Sequence, residues 1–195
     1  MKKFFFSILA LTMSVMYSVA DETMNPIITA MPSLSIAPDA HAGGLGDIGA
    51  ATNPDLNSQH WNPAKYAFMT SHGGITANYT PWLTKLVNDI NLAYIAGYYK
   101  WDDIQSVSAS FTYFSLGAVA LTNVDGTFLQ EAKPNEWAID VAYSRKLIET
   151  LSMSVALRFL YSDLSNGVNS STMGSAGGMK PGITAAADIA LYYNN

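Results

Sequence analysis

Apolar and polar residues alternate most strictly in two neighbouring stretches of the chain. Residues 136–144 and 151–161 each have one apolar face and one face of small, polar or charged residues. Successive side chains of a β-strand point to opposite faces of a sheet, so a period of two predicts strands. Only residues 145–150 separate the two stretches, and the pair therefore predicts an antiparallel hairpin.

Four further segments show the same period less clearly, which gives about six predicted strands in all. The other strands are predicted at residues 73–79, 90–99, 105–121 and 183–193. In the third strand the alternation loses its phase around Phe114 to Gly117, which predicts a β-bulge or a strand that extends beyond a bilayer.

The connections between the predicted strands are long and short in turn, at residues 80–89, 100–104, 122–135, 145–150 and 162–182. Bacterial outer-membrane barrels have short periplasmic turns and longer external loops. This order therefore predicts a first strand that starts on the periplasmic side.

Composition favours a membrane barrel over a soluble β-sandwich. Charged residues make up 13% of the chain and aromatic residues 12%, while 49% of residues are hydrophobic and the mean hydropathy is only +0.13. Soluble domains carry about 25% charged residues. A sandwich also explains alternation, but it explains less well why aromatic residues gather near strand ends, as they do at membrane interfaces. These aromatic residues are Tyr79, Trp82, Tyr98, Tyr99, Trp101, Trp137, Tyr143, Tyr161, Tyr192 and Tyr193.

The first twenty residues have the three parts of a signal peptide. Lys2 and Lys3 begin it, residues 4–15 form an apolar run, and Ser18-Val19-Ala20 predicts cleavage after Ala20. An uncleaved anchor is the alternative. Cleavage removes two of the ten basic residues and leaves all fifteen acidic ones, so the net charge falls from −5 to −7 and nucleic acid is not an expected partner.

Residues 21–72 form a second predicted region, rich in glycine and proline and without a strand period. We expect an irregular or partly helical segment that packs in or under a barrel, followed at residues 73–195 by its first six strands. The smallest bacterial barrels have eight strands, and unpaired backbone in lipid costs several kcal/mol per group. We therefore expect the N-terminal part of a longer barrel, or one piece of an assembly.

Three charged residues, Asp140, Arg158 and Asp188, fall on the polar faces of the last three predicted strands. They should point into the lumen, where Arg158 would pair with Asp140 or Asp188. Such a network could stabilise the interior or line a cavity that holds a partner segment. The chain has no cysteine, no G-x-S-x-G motif and no histidines at metal-ligand spacing, so we expect no catalytic residues, metal site or cofactor.

A glycine-rich signature and an aromatic one follow each other before the first strand. They are formed by Gly43, Gly44, Gly46 and Asp47, and then by Trp61, Asn62, Pro63 and Ala64. Together with residues 25–39, they resemble the N-terminal part of the PorV (LptO) family, the outer-membrane barrels of the type IX secretion system within the FadL-like barrels. The resemblance runs from Asn25 to the end of the chain.

This resemblance implies a larger barrel, of which six strands would be less than half, with the signature segment inside or beneath it. It implies a non-enzymatic protein that receives cargo with C-terminal signal domains from the translocon and passes it to the surface attachment complex. Cargo would bind at loops 80–89, 122–135 and 162–182. The expected partners are outer-membrane lipid, the translocon, the attachment complex and the cargo. A FadL-like transporter of hydrophobic small molecules is the alternative, and an outer-membrane enzyme acting on lipid or lipopolysaccharide is a third possibility.

Overall fold

The computed structural model describes residues 31–81, 89–123, 125–164, 166 and 181–194. The predicted signal peptide and Trp82 lie outside these residues. Within them, no helix is long and apolar enough to cross a membrane.

Strands dominate the architecture and form two separate sheets. The larger sheet contains β1 (Gly73–Pro81), β2 (Ile90–Lys100), β3 (Gln105–Leu116), β6 (Asn135–Ile148), β7 (Leu151–Asp163) and β8 (Gly182–Tyr193), in that order. The smaller sheet is a hairpin of β4 (Val119–Thr122) and β5 (Phe128–Ala132). All pairings are antiparallel, and the described sheet is open at β1 and β8. The predicted fold class, a partial all-β barrel with six principal strands, is confirmed.

The third predicted strand is shorter than expected. β3 ends at Leu116, and Gly117 then turns the chain out of the sheet with a φ of +79°, a conformation that glycine adopts without steric cost. The backbone N–H of Leu116 donates to the carbonyl of Pro134 at 3.1 Å, and this hydrogen bond closes the base of the excursion, the connection from β3 to β6. β4 begins two residues after Gly117, so three of its four residues lie within the third predicted strand, whereas β5 lies in the predicted loop 122–135, where the sequence pattern did not indicate a strand.

One face of the large sheet carries an exposed apolar band. Its side chains include Ile75, Ile95, Phe111, Ile139, Val141, Leu157 and Ile189. Four aromatic residues lie in one register row at the long-loop end, namely Tyr79, Tyr113, Trp137 and Tyr161. From this row, β7 continues for ten residues to Leu151. At about 3.3 Å per residue and a tilt of about 40°, this length covers roughly 25 Å, the height of the apolar band of a transmembrane barrel.

Two of the predicted interfacial aromatic residues belong to the opposite, inner face. Tyr98 and Tyr192 are each only 6% exposed. The Tyr98 ring stacks on Tyr66 at a centroid distance of 4.7 Å, and Tyr192 contacts Phe68 at 5.7 Å. Their assignment to a membrane girdle was therefore wrong, because residues that precede β1 supply an apolar environment on the inner face.

Residues 31–72, here called the plug segment, cover much of this inner face. The segment contains a 3₁₀ helix (Pro32–Ser35), α1 (Ala40–Gly44), α2 (Ser58–Trp61) and a second 3₁₀ helix (Pro63–Phe68). Beneath it, β3, β6 and β7 present small side chains, among them Ser106, Ser110, Ala138, Ala142, Ser144, Ser152 and Ser154. Small residues at these positions let the backbone of the plug segment approach the sheet closely.

Candidate functional site

The plug segment runs along the sheet from one end to the other. The Ser33 hydroxyl donates to the carboxylate of Glu136, the second residue of β6, at the long-loop end. At the short-turn end, Lys100 Nζ donates to the Met69 carbonyl and the Lys100 N–H donates to the His72 carbonyl, each at 2.7 Å. By the general rule for outer-membrane barrels, these ends are external and periplasmic respectively. The segment therefore extends from the long-loop end of the sheet to the short-turn end, where β1 begins.

The glycine-rich signature forms α1 and the turn that ends it. Gly46 and Asp47 both have positive φ, at +81° and +61°, and the Asp47 N–H donates to the Ala42 carbonyl at 2.9 Å. Gly43 and Gly44 are the last residues of α1. This arrangement matches a helix that ends in a left-handed turn, where glycine is favoured. The signature thus sets the direction in which the chain leaves α1.

Asn62 connects the aromatic signature to three parts of the protein. Its Oδ1 accepts from the Ala64 N–H at 3.1 Å and so caps the second 3₁₀ helix. Its Nδ2 donates to the Ala50 carbonyl at 3.1 Å and to the Leu191 carbonyl of β8 at 3.0 Å. A single amide therefore joins two stretches of the plug segment to an edge strand of the sheet.

The two residues that follow this cap are bound to β6 and β7 through their backbone. The Pro63 carbonyl accepts from Ser144 Oγ of β6, and the Ala64 carbonyl accepts from Ser152 Oγ of β7, each at 2.7 Å. Both serines are completely buried. Trp61 packs on the other side of the plug segment, where its Nε1 donates to Asp39 at 3.4 Å.

Lys65 is a completely buried lysine directly after the aromatic signature. Its Nζ donates to the Gly49 carbonyl at 2.9 Å and to Thr52 Oγ1 at 3.0 Å, and lies 3.9 Å from an Asp55 carboxylate oxygen. Burial lowers the pKa of Lys65, and the charge of Asp55 opposes this shift. A buried ammonium needs such partners, so Lys65 fixes the loop before α2 in one conformation.

Tyr66 anchors the next position of the plug segment and has no exposed surface. Its hydroxyl accepts from the Gln59 N–H at 3.0 Å and donates to the Leu56 carbonyl at 2.9 Å, while its ring stacks on Tyr98 of β2. Burial raises the pKa of Tyr66, so this hydroxyl keeps its proton and its role as a donor.

Two of the three predicted lumenal charges come together on the inner face. Asp140 of β6 and Arg158 of β7 are register partners, and Arg158 Nε donates to the Asp140 carboxylate. Ser110 Oγ of β3 donates to the same carboxylate at 3.2 Å. Asp188 of β8 lies beside Ala156, one inward-facing row away, and is exposed.

His60, in α2 of the plug segment, lies near this charge pair. Its ring makes edge contacts with Trp61 at a centroid distance of 4.7 Å and with Tyr94 at 6.2 Å. Burial lowers the pKa of His60 to about 4, with a further contribution from Arg158, while Asp39 acts in the opposite direction. His60 is therefore neutral at pH 7. Among the described residues, no three His, Asp or Glu side chains are grouped as metal ligands would be.

Sequence reasoning did not identify several residues that hold the plug segment, notably Ser33, Lys65, Glu136, Ser144 and Ser152. Glu136 carried a signal that could have been used, since it is a carboxylate at an inward position of a cleanly alternating strand. The serines carried none, because small polar residues occupy most inward positions of these strands.

The protein thus has a sheet with an exposed apolar band on one face and the plug segment bound along the other. The chain matches the family model described as Type IX secretion system protein PorV over residues 19–195. The chain belongs to the PorV family. It is therefore an outer-membrane component of the type IX secretion system and takes part in protein transport. The PorV family comprises secretion-system components and is not a known enzyme family. No curated protein gives a significant match.

Proposed function

We propose that this PorV-family protein receives cargo with C-terminal signal domains from the type IX translocon and passes it to the surface attachment complex. The observation that carries the proposal is the family match over nearly the whole chain. The described structure supports a role at the external end, because the excursion between β3 and β6 exposes apolar side chains there, with Phe128 64% exposed.

In this proposal the signature residues keep the plug segment in the lumen. Gly46 and Asp47 direct the chain out of α1, and Asn62, Pro63 and Ala64 bind it to β6, β7 and β8. The Asp140–Arg158 pair belongs to the interior and does not hold a partner, since the Asp140 carboxylate already accepts from Arg158 Nε and Ser110 Oγ. Cleavage after Ala20 remains part of the proposal, and N-terminal sequencing of the mature protein would test it.

Transport of hydrophobic small molecules is less well supported. A cavity of about 530 Å³ lies between the plug segment and Thr80 of β1, but Asp39 and Asp47 line it. Two carboxylates would not suit an apolar ligand, because a buried charge needs polar partners.

A chromosomal deletion with complementation tests the proposal. We expect cargo with signal domains to disappear from the cell surface in the deletion strain and to return with the wild-type gene. A secreted protein without such a domain is the control and should be unaffected. Normal surface delivery and processing of cargo in the deletion strain would refute the proposal, and a selective defect in uptake of hydrophobic solutes would support the alternative.

A further inference from the structure

Arg145 is a basic residue on the face of the sheet that carries the exposed apolar band. It follows Val141 and Tyr143 in the alternation of β6, and both of these are exposed, while Ala142 and Ser144 between them are buried. Among the outward positions of the six described strands, as their register defines them, Arg145 is the only lysine or arginine. Lipid does not solvate a charge, so this cation needs a polar partner on that face.

Arg145 lies near the short-turn end of β6. It comes eight residues after Trp137, which belongs to the aromatic row at the long-loop end. At about 3.3 Å per residue and a tilt of about 40°, the two positions are about 20 Å apart along a barrel axis, and a transmembrane apolar band is roughly 25 Å tall. A cation on the lipid face is costly at the bilayer midplane and tolerated near an interface. Arg145 is therefore close to the level at which phospholipids carry their headgroups.

Aromatic side chains border Arg145 at this end of the sheet. The indole of Trp101 stacks on the ring of Tyr143 at a centroid distance of 6.1 Å, and both residues are exposed. The Tyr143 hydroxyl donates to Gln105, the register partner of Arg145 on β3, and Gln105 Nε2 donates to Asp102 at 2.8 Å. Aromatic residues of this kind mark the membrane interface.

The guanidinium of Arg145 has no hydrogen-bond or ion-pair partner among the residues that the structure describes. Asp102 is close enough to interact with its charge. However, the carboxylate of Asp102 already accepts from the backbone N–H groups of Ile104 and Gln105, at 2.8 and 2.6 Å, and from Gln105 Nε2. The planar donors of Arg145 thus remain available, and their geometry matches the oxygens of a phosphate.

A cavity of about 450 Å³ opens beside this guanidinium. Its apolar walls include Tyr143, Met153 and Val155. Lys146 also borders the cavity, but its Nζ lies 5.0 Å from the ring centroid of Phe68, in the plug segment on the opposite face. The site therefore combines an apolar wall, continuous with the exposed band, and one available cation. A diacyl lipid with a phosphate headgroup has the complementary chemistry.

We propose that Arg145 binds the phosphate of a glycerophospholipid in the periplasmic leaflet, while an acyl chain of this lipid lies against Met153 and Val155. The bound lipid holds β6 and β7 at a fixed depth in the membrane. This inference does not depend on the proposed transfer of cargo.

Native mass spectrometry of the protein in nonionic detergent, titrated with phosphatidylglycerol, gives the dissociation constant of the first bound lipid. Arg145→Gln removes the charge, and Arg145→Lys keeps the charge but loses the planar arrangement of donors. Lys133→Gln is the matched control, because it removes one positive charge from an exposed side chain at the long-loop end. Diacylglycerol with the same acyl chains is the control ligand, since it lacks the phosphate.

We expect Arg145→Gln to weaken phosphatidylglycerol binding about tenfold, as for the loss of a charge-assisted hydrogen bond. Arg145→Lys should weaken it about threefold, and Lys133→Gln should change it less than about twofold. Diacylglycerol should bind all four proteins equally.

Equal binding of phosphatidylglycerol by the wild-type protein and both Arg145 variants would overturn the inference. An equal loss of diacylglycerol binding in Arg145→Gln would also overturn it, because the apolar wall and not the phosphate would then account for the effect. Inorganic phosphate is a third ligand. If it displaced phosphatidylglycerol at equal concentration, Arg145 would be a general anion site, and its assignment to a lipid would be wrong.

Discussion

Substitution of Asn62 by alanine is the sharpest test of how the plug segment is held. The side chain provides the cap of the second 3₁₀ helix and two further hydrogen bonds, to the carbonyls of Ala50 and Leu191. Loss of a cap costs about 1 kcal/mol, and each remaining hydrogen bond contributes about 0.5–1.5 kcal/mol net. We therefore expect Asn62→Ala to lower the free energy of unfolding by about 3 kcal/mol.

Urea unfolding of the protein in detergent micelles, followed by tryptophan fluorescence, measures this change. The matched control is Asn53→Ala, because Asn53 is exposed and lies in the same segment. A substitution at such a surface position usually changes stability by less than about 0.5 kcal/mol. Limited proteolysis should cut the plug segment of Asn62→Ala earlier than that of the control. If the two variants unfolded at the same urea concentration, the hydrogen bonds of Asn62 would not hold the plug segment as argued.

Three further predictions concern the same segment. Lys65→Met should destabilise the protein by about 3 kcal/mol in the same unfolding assay, because it leaves buried oxygen partners without a cation, and wild-type stability would contradict this. The pKa of His60 is near 4 in the folded protein and about 6.5 in the unfolded protein. Its contribution to the free energy of unfolding is therefore complete above pH 6.5 and is lost as the pH falls to 4. His60→Gln should therefore reduce the loss of unfolding free energy between pH 6.5 and pH 4 by up to about 3 kcal/mol. If the stability of the variant and of the wild-type protein changed identically with pH, burial of His60 near Arg158 would not cause the acid sensitivity. In the naturally cysteine-free chain, Ala40→Cys should react with an impermeant maleimide on intact cells, whereas Ser71→Cys should react only after the outer membrane is opened; the reverse result would invert the direction of the plug segment.

Much of the fold was predictable because one face of most strands contacts lipid. In β6 and β7 the apolar face and the polar face are distinct, so the strands follow from alternation. The same pattern predicted that Arg158 faces inward, but it left open whether Asp140 or Asp188 is its partner, which the register decides. In β2 both faces are apolar, because Leu92, Tyr94 and Tyr98 face the plug segment while Ile95 and Tyr99 face outward. The pattern there predicts a strand but does not say which face meets the membrane.

The features that sequence reasoning missed depend on contacts between distant parts of the chain. The end of β3 depends on the φ of Gly117, and β5, with five residues beside a polar turn, is too short to show a clear period. The burial of Lys65 arises only when Gly49, Thr52 and Asp55 surround it. The glycine and Asn-Pro-Ala signatures could be recognised in the sequence. The carbonyls and serines to which they hydrogen-bond could be identified only from the structure.

The course of the plug segment has a consequence for biogenesis. The segment extends from the Glu136 end of the sheet to the Lys100 end, and Lys65 and Tyr66 in its second 3₁₀ helix have no exposed surface. A chain held in this way could not easily thread through a barrel that had already closed. It must lie against the growing sheet while strands are still being added. The plug segment precedes every strand in the sequence, so it is synthesised before them and provides a template on which β6, β7 and β8 align.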